Sequence, residues 1–242
     1  GQGGLSYIGI PYEQKLVKVD DIDDVIMVSS GSNHTLLLKN DNTLWGAGDN
    51  TFKQLGFGNP ESIDSFTQIK TFSDVMYIDS TDNYSLIIKL DGTLWGMGSL
   101  PMNLNLSYNN AGLISKDIIH ADGNKDIIAA IGYDGSMYIY GRNNIFPVEY
   151  DNYVTSQKLQ FDKKIKTVSL CDYGAVLIDY DNEVYVFSDR IDGYYEKIST
   201  DGNIVSMDGR SSRILLNTEE GKSYIIDFNS QNSHKYELSE LK

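Results

Sequence analysis

The chain has 242 residues and a formal net charge of −14, and it is 40% hydrophobic and 22% charged. This composition excludes disorder over the whole chain, and the length allows a hydrophobic core that is stable without disulfides or structural metal ions. An acidic surface repels phosphate backbones and anionic lipid, so we expect no nucleic acid partner and no membrane insertion. A basic protein surface is the better electrostatic match. Seventeen Tyr against six Ala favour strands over helices.

Cysteine and histidine usage argues against a metal centre or a covalent active site. Cys171 is the single cysteine and the three histidines are scattered, so no metal-ligand spacing is present. No phosphate-binding loop, dinucleotide fingerprint or Ser-His-Asp order appears. We therefore expect no cofactor, no metal and no enzyme chemistry. One unpaired cysteine also favours a reducing, cytoplasmic location, with Cys171 as a small buried residue.

A 21-residue pattern recurs five times along the chain. It begins with a β-branched residue and ends, twenty positions later, with an aromatic one, as from Val25 to Trp45. Four positions before each aromatic residue stands an acid, and Asn or Gly follows that acid, which predicts a tight hairpin turn with positive φ. The repeat cores are 25–45, 75–95, 118–138, 165–185 and 204–224, and their aromatic residues are Trp45, Trp95, Tyr138, Tyr185 and Tyr224.

Each copy reads as three short strands, for example 25–28, 35–38 and 43–45 in the first. The linkers supply fourth, outer strands, which we predict at 66–69, 157–159, 196–198 and 236–238, with a further segment at 15–19. Four-stranded units repeated in this way predict an all-β fold, a β-propeller of about five blades. We expect one domain over 1–242, a monomer, with its ring closed by the two termini.

The first copy resembles the repeat of the regulator of chromosome condensation family. It reads GSNHTL at 31–36, DNTLWG at 41–46, GDN at 48–50 and QLGFG at 54–58. The second copy keeps the first half, with Tyr84 in place of the histidine, and the other three keep only the spacing. Well-known family members have seven blades, whereas five units are visible in this chain.

The resemblance implies protein binding, and the family includes exchange factors for the small GTPase Ran that dock on nucleosomes. Other members are tryptophan-based photoreceptors, β-lactamase inhibitors or adaptors. Two Trp cannot make an indole cluster, and the acidic charge disfavours nucleosome docking. We therefore predict a small-GTPase-binding module similar to a guanine-nucleotide exchange factor. The alternative is a non-catalytic adaptor or inhibitor propeller, including a microbial or viral mimic of a eukaryotic protein delivered to a host cell.

In the exchange-factor members, the loop between the first two strands of each unit faces the GTPase. Carried over by alignment, the resemblance implies a partner-binding rim of Asn33, His34, Asp82, Asn83, Tyr84, Asp126, Asp172 and Tyr173, with Ser32, Lys125, Ser211 and Ser212 in the same loops. Asp49, after the tryptophan strand, matches another contact position. The alternative is that these short polar residues satisfy turns, and that His34 holds the blade through a backbone hydrogen bond.

The second linker is unusual, because large apolar side chains alternate with polar ones over 100–108 (LPMNLNLSY). Met102, Leu104, Leu106 and Tyr108 are either an extra edge strand on their own blade or a wedge that inserts into a partner. The third linker, 143–150 (NNIFPVEY), is a lesser candidate for the same role.

Overall fold

The computed structural model describes residues 19, 22–59, 61–102, 111–143, 145–147, 154–188, 191, 194–228 and 237–241. Within those ranges every regular element is a β-strand. The chain divides into two compact units, 1–119 and 120–242. The first unit holds the first two sheets, and the second holds the last two and nearly all of the third.

In the described part of the chain, twenty strands form five antiparallel sheets of four, and in each sheet the strands follow chain order. The first sheet contains β1 (Val25–Ser30), β2 (His34–Lys39), β3 (Leu44–Asp49) and β4 (Ser62–Gln68). The second contains β5 (Val75–Ser80), β6 (Tyr84–Lys89), β7 (Leu94–Gly98) and β8 (Ala111–Ser115). The third contains β9 (Ile118–Gly123), β10 (Ile127–Gly132), β11 (Met137–Gly141) and β12 (Val154–Lys158). The fourth contains β13 (Ile165–Leu170), β14 (Ala175–Asp179), β15 (Val184–Phe187) and β16 (Tyr195–Ile198). The fifth contains β17 (Ile204–Arg210), β18 (Arg213–Thr218), β19 (Ser223–Asp227) and β20 (Glu237–Leu241).

The five sheets are the predicted blades, and the aromatic residue that ends each repeat core takes the same register in all of them. It is the second residue of the third strand, paired with the second strand, as Trp45 is with Leu37 and Tyr224 is with Leu216. The predicted equivalence is confirmed. Its burial varies, since Tyr185 and Tyr224 are buried whereas Trp45 is half-buried.

The hairpin between the second and third strands has the predicted chemistry in each blade. The residue after the acid has positive φ in all five copies: Asn42, Gly92, Gly135, Asn182 and Gly221. In the first copy the Thr43 backbone N–H donates to Asp41 Oδ1 at 3.0 Å, and the Thr43 hydroxyl donates to the same oxygen. These bonds to the ionised carboxylate lower the pKa of Asp41.

In the first unit, apolar side chains of both blades form one core. Leu36, Leu38 and Leu44 of the first blade are buried together with Val75 and Ile78 of the second. The hairpin also bonds to the next blade, because the Val75 N–H donates to the Asn42 carbonyl at 3.1 Å. A single blade cannot bury both of its faces, so successive blades share their cores.

The second unit has an equivalent core around Val176, Val186, Ile214 and Ile226. Beside it lies an aromatic cluster in which the ring of Phe161 meets Tyr185, Phe187 and Tyr195 edge-on. Cys171 is buried as expected, and burial raises the pKa of its thiol to about 12.

The outer strand of the second blade is β8, at 111–115, which the sequence pattern did not locate. Each blade takes its four strands from one continuous stretch of chain, and the fifth is completed by β20. Segment 15–18, expected to help close the ring, lies outside the described residues, so closure by the termini stays a prediction.

Candidate functional site

The loop between the first and second strands, which we call the first loop, is built in the same way in both blades of the first unit. In one blade the Gly31 N–H donates to the His34 carbonyl, and in the other the Thr81 N–H donates to the Tyr84 carbonyl, each at 2.9 Å. These backbone hydrogen bonds close the loop, and Asn33 is left exposed to solvent. Antiparallel pairing puts the first loops at the opposite end of the blade from the acid–Asn/Gly hairpins.

The first loops of these two blades are joined. The Ser32 hydroxyl donates to Asp82 Oδ1, and Asp82 and Asn83 are exposed. The structure thus brings three of the sequence-derived rim residues, Asn33, Asp82 and Asn83, to the surface of one unit. Their exposed groups are two amides and a carboxylate.

His34 does not belong to this surface. Its ring is fully buried, and Nε2 lies 2.9 Å from the hydroxyl of Ser85 in the neighbouring blade. That hydroxyl in turn donates to the Gln54 carbonyl at 2.7 Å. The prediction that His34 contacts a partner is therefore corrected: the ring links two blades, so its role is structural.

Asp49 and Tyr84 are also buried, at 8% and 2% exposure, and both are removed from the predicted rim. Asp49 Oδ1 accepts hydrogen bonds from the Thr51 N–H and hydroxyl, and Oδ2 accepts one from Gln54 Nε2 at 2.8 Å. Burial by itself would raise the pKa of Asp49, but these hydrogen bonds outweigh it and lower the pKa. Asp49 is thus ionised, and its hydrogen bonds hold together the turn after β3.

The second unit carries the remaining first loops. Lys125 Nζ lies 3.7 Å from Asp172 Oδ2 and 5.7 Å from the centre of the Tyr173 ring, which is 42% exposed. The Asp172 N–H donates to the Ser211 carbonyl at 2.6 Å, which joins the first loops of the fourth and fifth blades. Asp126 is half-buried.

Sequence reasoning missed the two residues that organise these loops, Asn124 and Asp122. Asn124 Nδ2 donates to the Cys171 carbonyl at 2.8 Å, while Asn124 Oδ1 accepts from the Ile127 N–H. Asp122 Oδ2 accepts from the Leu170 N–H at 2.7 Å. The bonds to Cys171 and Leu170 are not local in the chain, so no spacing signal could have indicated them.

Of the candidate wedge, only Met102 is described, and it is half-buried. Leu104, Leu106 and Tyr108 lie outside the described residues, so the wedge stays a prediction. The lesser candidate in the third linker is corrected, because Ile145 and Phe146 are buried at 1% and 3% exposure. Asn143 closes that turn by accepting from both of their N–H groups.

Among the described residues, no three His, Cys, Asp or Glu side chains come close enough to hold a metal ion. The part of the chain that the structure describes likewise contains no helix with the length and apolarity needed to cross a bilayer.

Comparisons with known proteins give one family-model match and several structural likenesses. A family model of the regulator of chromosome condensation (RCC1) repeat matches residues 25–54. Human WBSCR16 is similar in structure, with a TM-score of 0.71 at 16% identity over 85% of this chain and 62% of that one. Prp20p from Saccharomyces cerevisiae, described with its binding properties to Gsp1p and histones, gives a TM-score of 0.73 at 12% identity over 90% of this chain and 63% of that one.

Yeast RCC1 (Prp20) in its complex with Kap60 gives a TM-score of 0.56 at 12% identity, over 84% of this chain and 70% of that one. No curated protein matches the sequence. The chain spans about three fifths of the length of WBSCR16 and of Prp20p as solved. Residues 25–54 thus carry a repeat of the regulator of chromosome condensation type, and the five four-stranded blades and these structural likenesses show a β-propeller fold.

Proposed function

We propose that this chain binds another protein through the first loops of its blades. The observation that supports this most directly is that first loops of successive blades are joined within each unit. Ser32 bonds to Asp82 in the first unit, and Asp172 bonds to Ser211 in the second. Joined loops present an extended, ordered surface, and binding to such a surface carries a small ordering cost.

The chemistry of these loops favours a basic partner. Asp82 is exposed, Asp126 and Asp172 are half-exposed, and the whole chain carries −14. Complementary charge of this kind accelerates association and selects partners. Tyr173, held beside Lys125, adds an exposed aromatic ring of the type that anchors protein interfaces.

At a finer level, we propose that the partner is a small GTPase. The support is similarity in fold and repeat to Prp20p, whose structure was described together with its binding to Gsp1p. Exposed carboxylates can attract a GTPase lysine, or compete with nucleotide phosphate for that lysine and for Mg²⁺. Those two effects would promote nucleotide release.

One observation favours an adaptor without exchange activity. His34 and Asp49 occupy positions that contact the GTPase in exchange-factor members, and in this chain both are buried and hydrogen-bonded inside the fold. Binding without exchange is therefore the second candidate function.

The test is binding and nucleotide release with a purified Ran-type GTPase, stripped of nucleotide by EDTA or loaded with a fluorescent guanine nucleotide. Preferential binding of the stripped form with accelerated release supports exchange, whereas equal binding of both forms supports the adaptor. Asp82→Lys should slow association and reduce its salt dependence. Asp23→Lys is the matched control, because Asp23 is equally an exposed aspartate but lies just before β1, at the hairpin end of the blade. Failure of the GTPase to bind in either form would overturn the finer proposal.

A further inference from the structure

A cavity of about 410 Å³ lies in the second unit, at the hairpin end of the third blade. It is bounded by the hairpin at 134–137 and by the loop at 158–165 that leads into the fourth blade. Met137, Leu159 and Phe161 give it an apolar floor, and Lys158, Lys163 and Lys164 stand around its edge. This volume is within the range of pockets that hold small organic ligands.

The charge of this cavity is opposite to that of the chain. Three lysines and two aspartates line it, whereas the whole chain carries −14. Among the described residues, none of the three ammonium groups forms an ion pair, and all three lysines are exposed. Of the two carboxylates, that of Asp134 is already hydrogen-bonded within the hairpin. Its Oδ1 accepts a hydrogen bond from the Ser136 N–H, and its Oδ2 accepts one from the Ser136 hydroxyl at 2.8 Å. The lysines are therefore the groups available to a ligand.

The first blade provides an internal comparison, because its loop at 69–75 has the same length as 159–165 and leads in the same way to the next blade. There Phe72 is buried at 5% exposure and packs edge-on against Trp95, with ring centres 5.9 Å apart. The third blade has Asp162 at the position of Phe72. The third blade carries its ring one position earlier, because Phe161 packs edge-on against Tyr185 with ring centres 5.2 Å apart, and the exposed Asp162 adds a polar side chain at the edge of the cavity.

The same comparison shows a local reversal of charge. The residue just before the first strand is Asp24, Asp74 or Asp117 in the first three copies and Asn203 in the fifth, but it is Lys164 in the fourth. Lys163, which precedes Lys164, aligns with Ser73 in the loop at 69–75. The backbone here is closely packed, since a Cβ on Gly135 would lie 2.7 Å from the Cβ of Lys164. The hairpin therefore holds the lysine-bearing loop against the cavity.

We propose that this cavity binds a phosphate monoester with an apolar or aromatic body. The three ammonium groups suit a compact dianion, which lysines bind as point charges. The half-buried ring of Phe161 and the apolar floor suit the organic part of the ligand. The site lies at the opposite end of its blade from the first loops, and it does not depend on the proposed protein partner.

The test is calorimetric titration at low salt with phenyl phosphate, inorganic phosphate and phenol. We expect phenyl phosphate to bind at least about tenfold more tightly than either fragment, because only it engages both the lysines and the apolar floor. A phosphotyrosine peptide is the fourth ligand. Tighter binding of the peptide than of phenyl phosphate assigns the monoester to a protein side chain, and equal binding assigns it to a free metabolite.

Variants that copy the first blade make the result specific. Lys163→Ser with Lys164→Asp should weaken phenyl phosphate binding about tenfold or more, and Asp162→Phe should abolish it by filling the cavity. Asp162→Asn should strengthen binding, because it removes a repelling charge. Lys166→Gln is the control: it removes a neighbouring ammonium that is bonded to Asn182 at 3.1 Å, and it should leave binding within about twofold. The lysine double variant and the control are exposed substitutions that keep the core intact. If wild type binds none of the four ligands, or if the lysine double variant binds like wild type, the proposal is overturned.

Discussion

Replacing His34 by alanine should destabilise the first unit, not remove a contact with a partner. The ring is fully buried between two blades, and Nε2 lies 2.9 Å from the Ser85 hydroxyl. Alanine would leave a cavity and would also deprive that hydroxyl of one hydrogen-bond partner.

The expected loss follows from those two effects. Removing a large buried side chain typically destabilises by about 2–4 kcal/mol, and the lost hydrogen bond adds about 1 kcal/mol. The sum, roughly 3–5 kcal/mol, is a large share of the ~5–15 kcal/mol by which most domains are stable. Ser85→Ala removes the hydroxyl but makes little cavity, so it should cost about 1 kcal/mol.

Urea unfolding can be followed separately in the first unit, because both tryptophans of the chain, Trp45 and Trp95, lie there. Their fluorescence should report a lower midpoint for His34→Ala, with circular dichroism following the strands of the whole chain. In a double-mutant cycle, His34→Ala and Ser85→Ala should be coupled by about 1 kcal/mol. An unchanged midpoint combined with weaker partner binding would refute the structural role of His34.

Three further predictions concern stability. Trp95→Ala should cost about 2 kcal/mol in a thermal melt, since the ring is half-buried, and an unchanged melting temperature would show that its packing contributes nothing. Gly98→Ala should cost about 1 kcal/mol or more, because φ is +95° and its Cβ would lie 2.5 Å from a carbonyl oxygen, whereas Gly58→Ala, with nothing within 4 Å, should be neutral in the same melt. Burial lowers the pKa of His120 in the folded state, so the unfolded chain protonates first and stability should fall as the pH drops below about 6.5. His120→Gln should flatten that slope, and an equal slope in the variant would contradict this account.

The repeat could be detected in the sequence because every blade needs the same type of hairpin turn between its second and third strands. In every blade an acid is followed by Asn or Gly with positive φ, and in the first three blades the acid also accepts a hydrogen bond from the residue two positions on, so nearby residues alone close the hairpin. The β-branched residue that begins each repeat core and the aromatic residue that ends it are therefore always twenty positions apart, and strand positions could be predicted from this spacing. The strand at 111–115 was not predicted because it begins with Ala and Gly, which are uncommon in strands and give no alternation of polar and apolar side chains.

The candidate surface was only partly predictable, since alignment locates a loop but does not determine which of its side chains face water. Asp82 and His34 are both polar residues of repeat loops, yet one is exposed and the other fully buried. The difference arises from Ser85 and Gln54, which are distant in sequence and meet the His34 ring only across neighbouring blades.

The sequence by itself determined the all-β class, the blade count, the hairpin turns and the acidic charge, because these depend on composition and on contacts within a few residues. Tertiary structure alone decided which loop residues are exposed, that Asp49 is buried and hydrogen-bonded inside the fold, and that the loop at 159–165 borders a lysine-edged cavity. The physical reason is that burial and cavity shape are properties of packed neighbours. Identical spacing in two repeats therefore permits a buried Phe72 in one loop and an exposed Asp162 at the same position of the other.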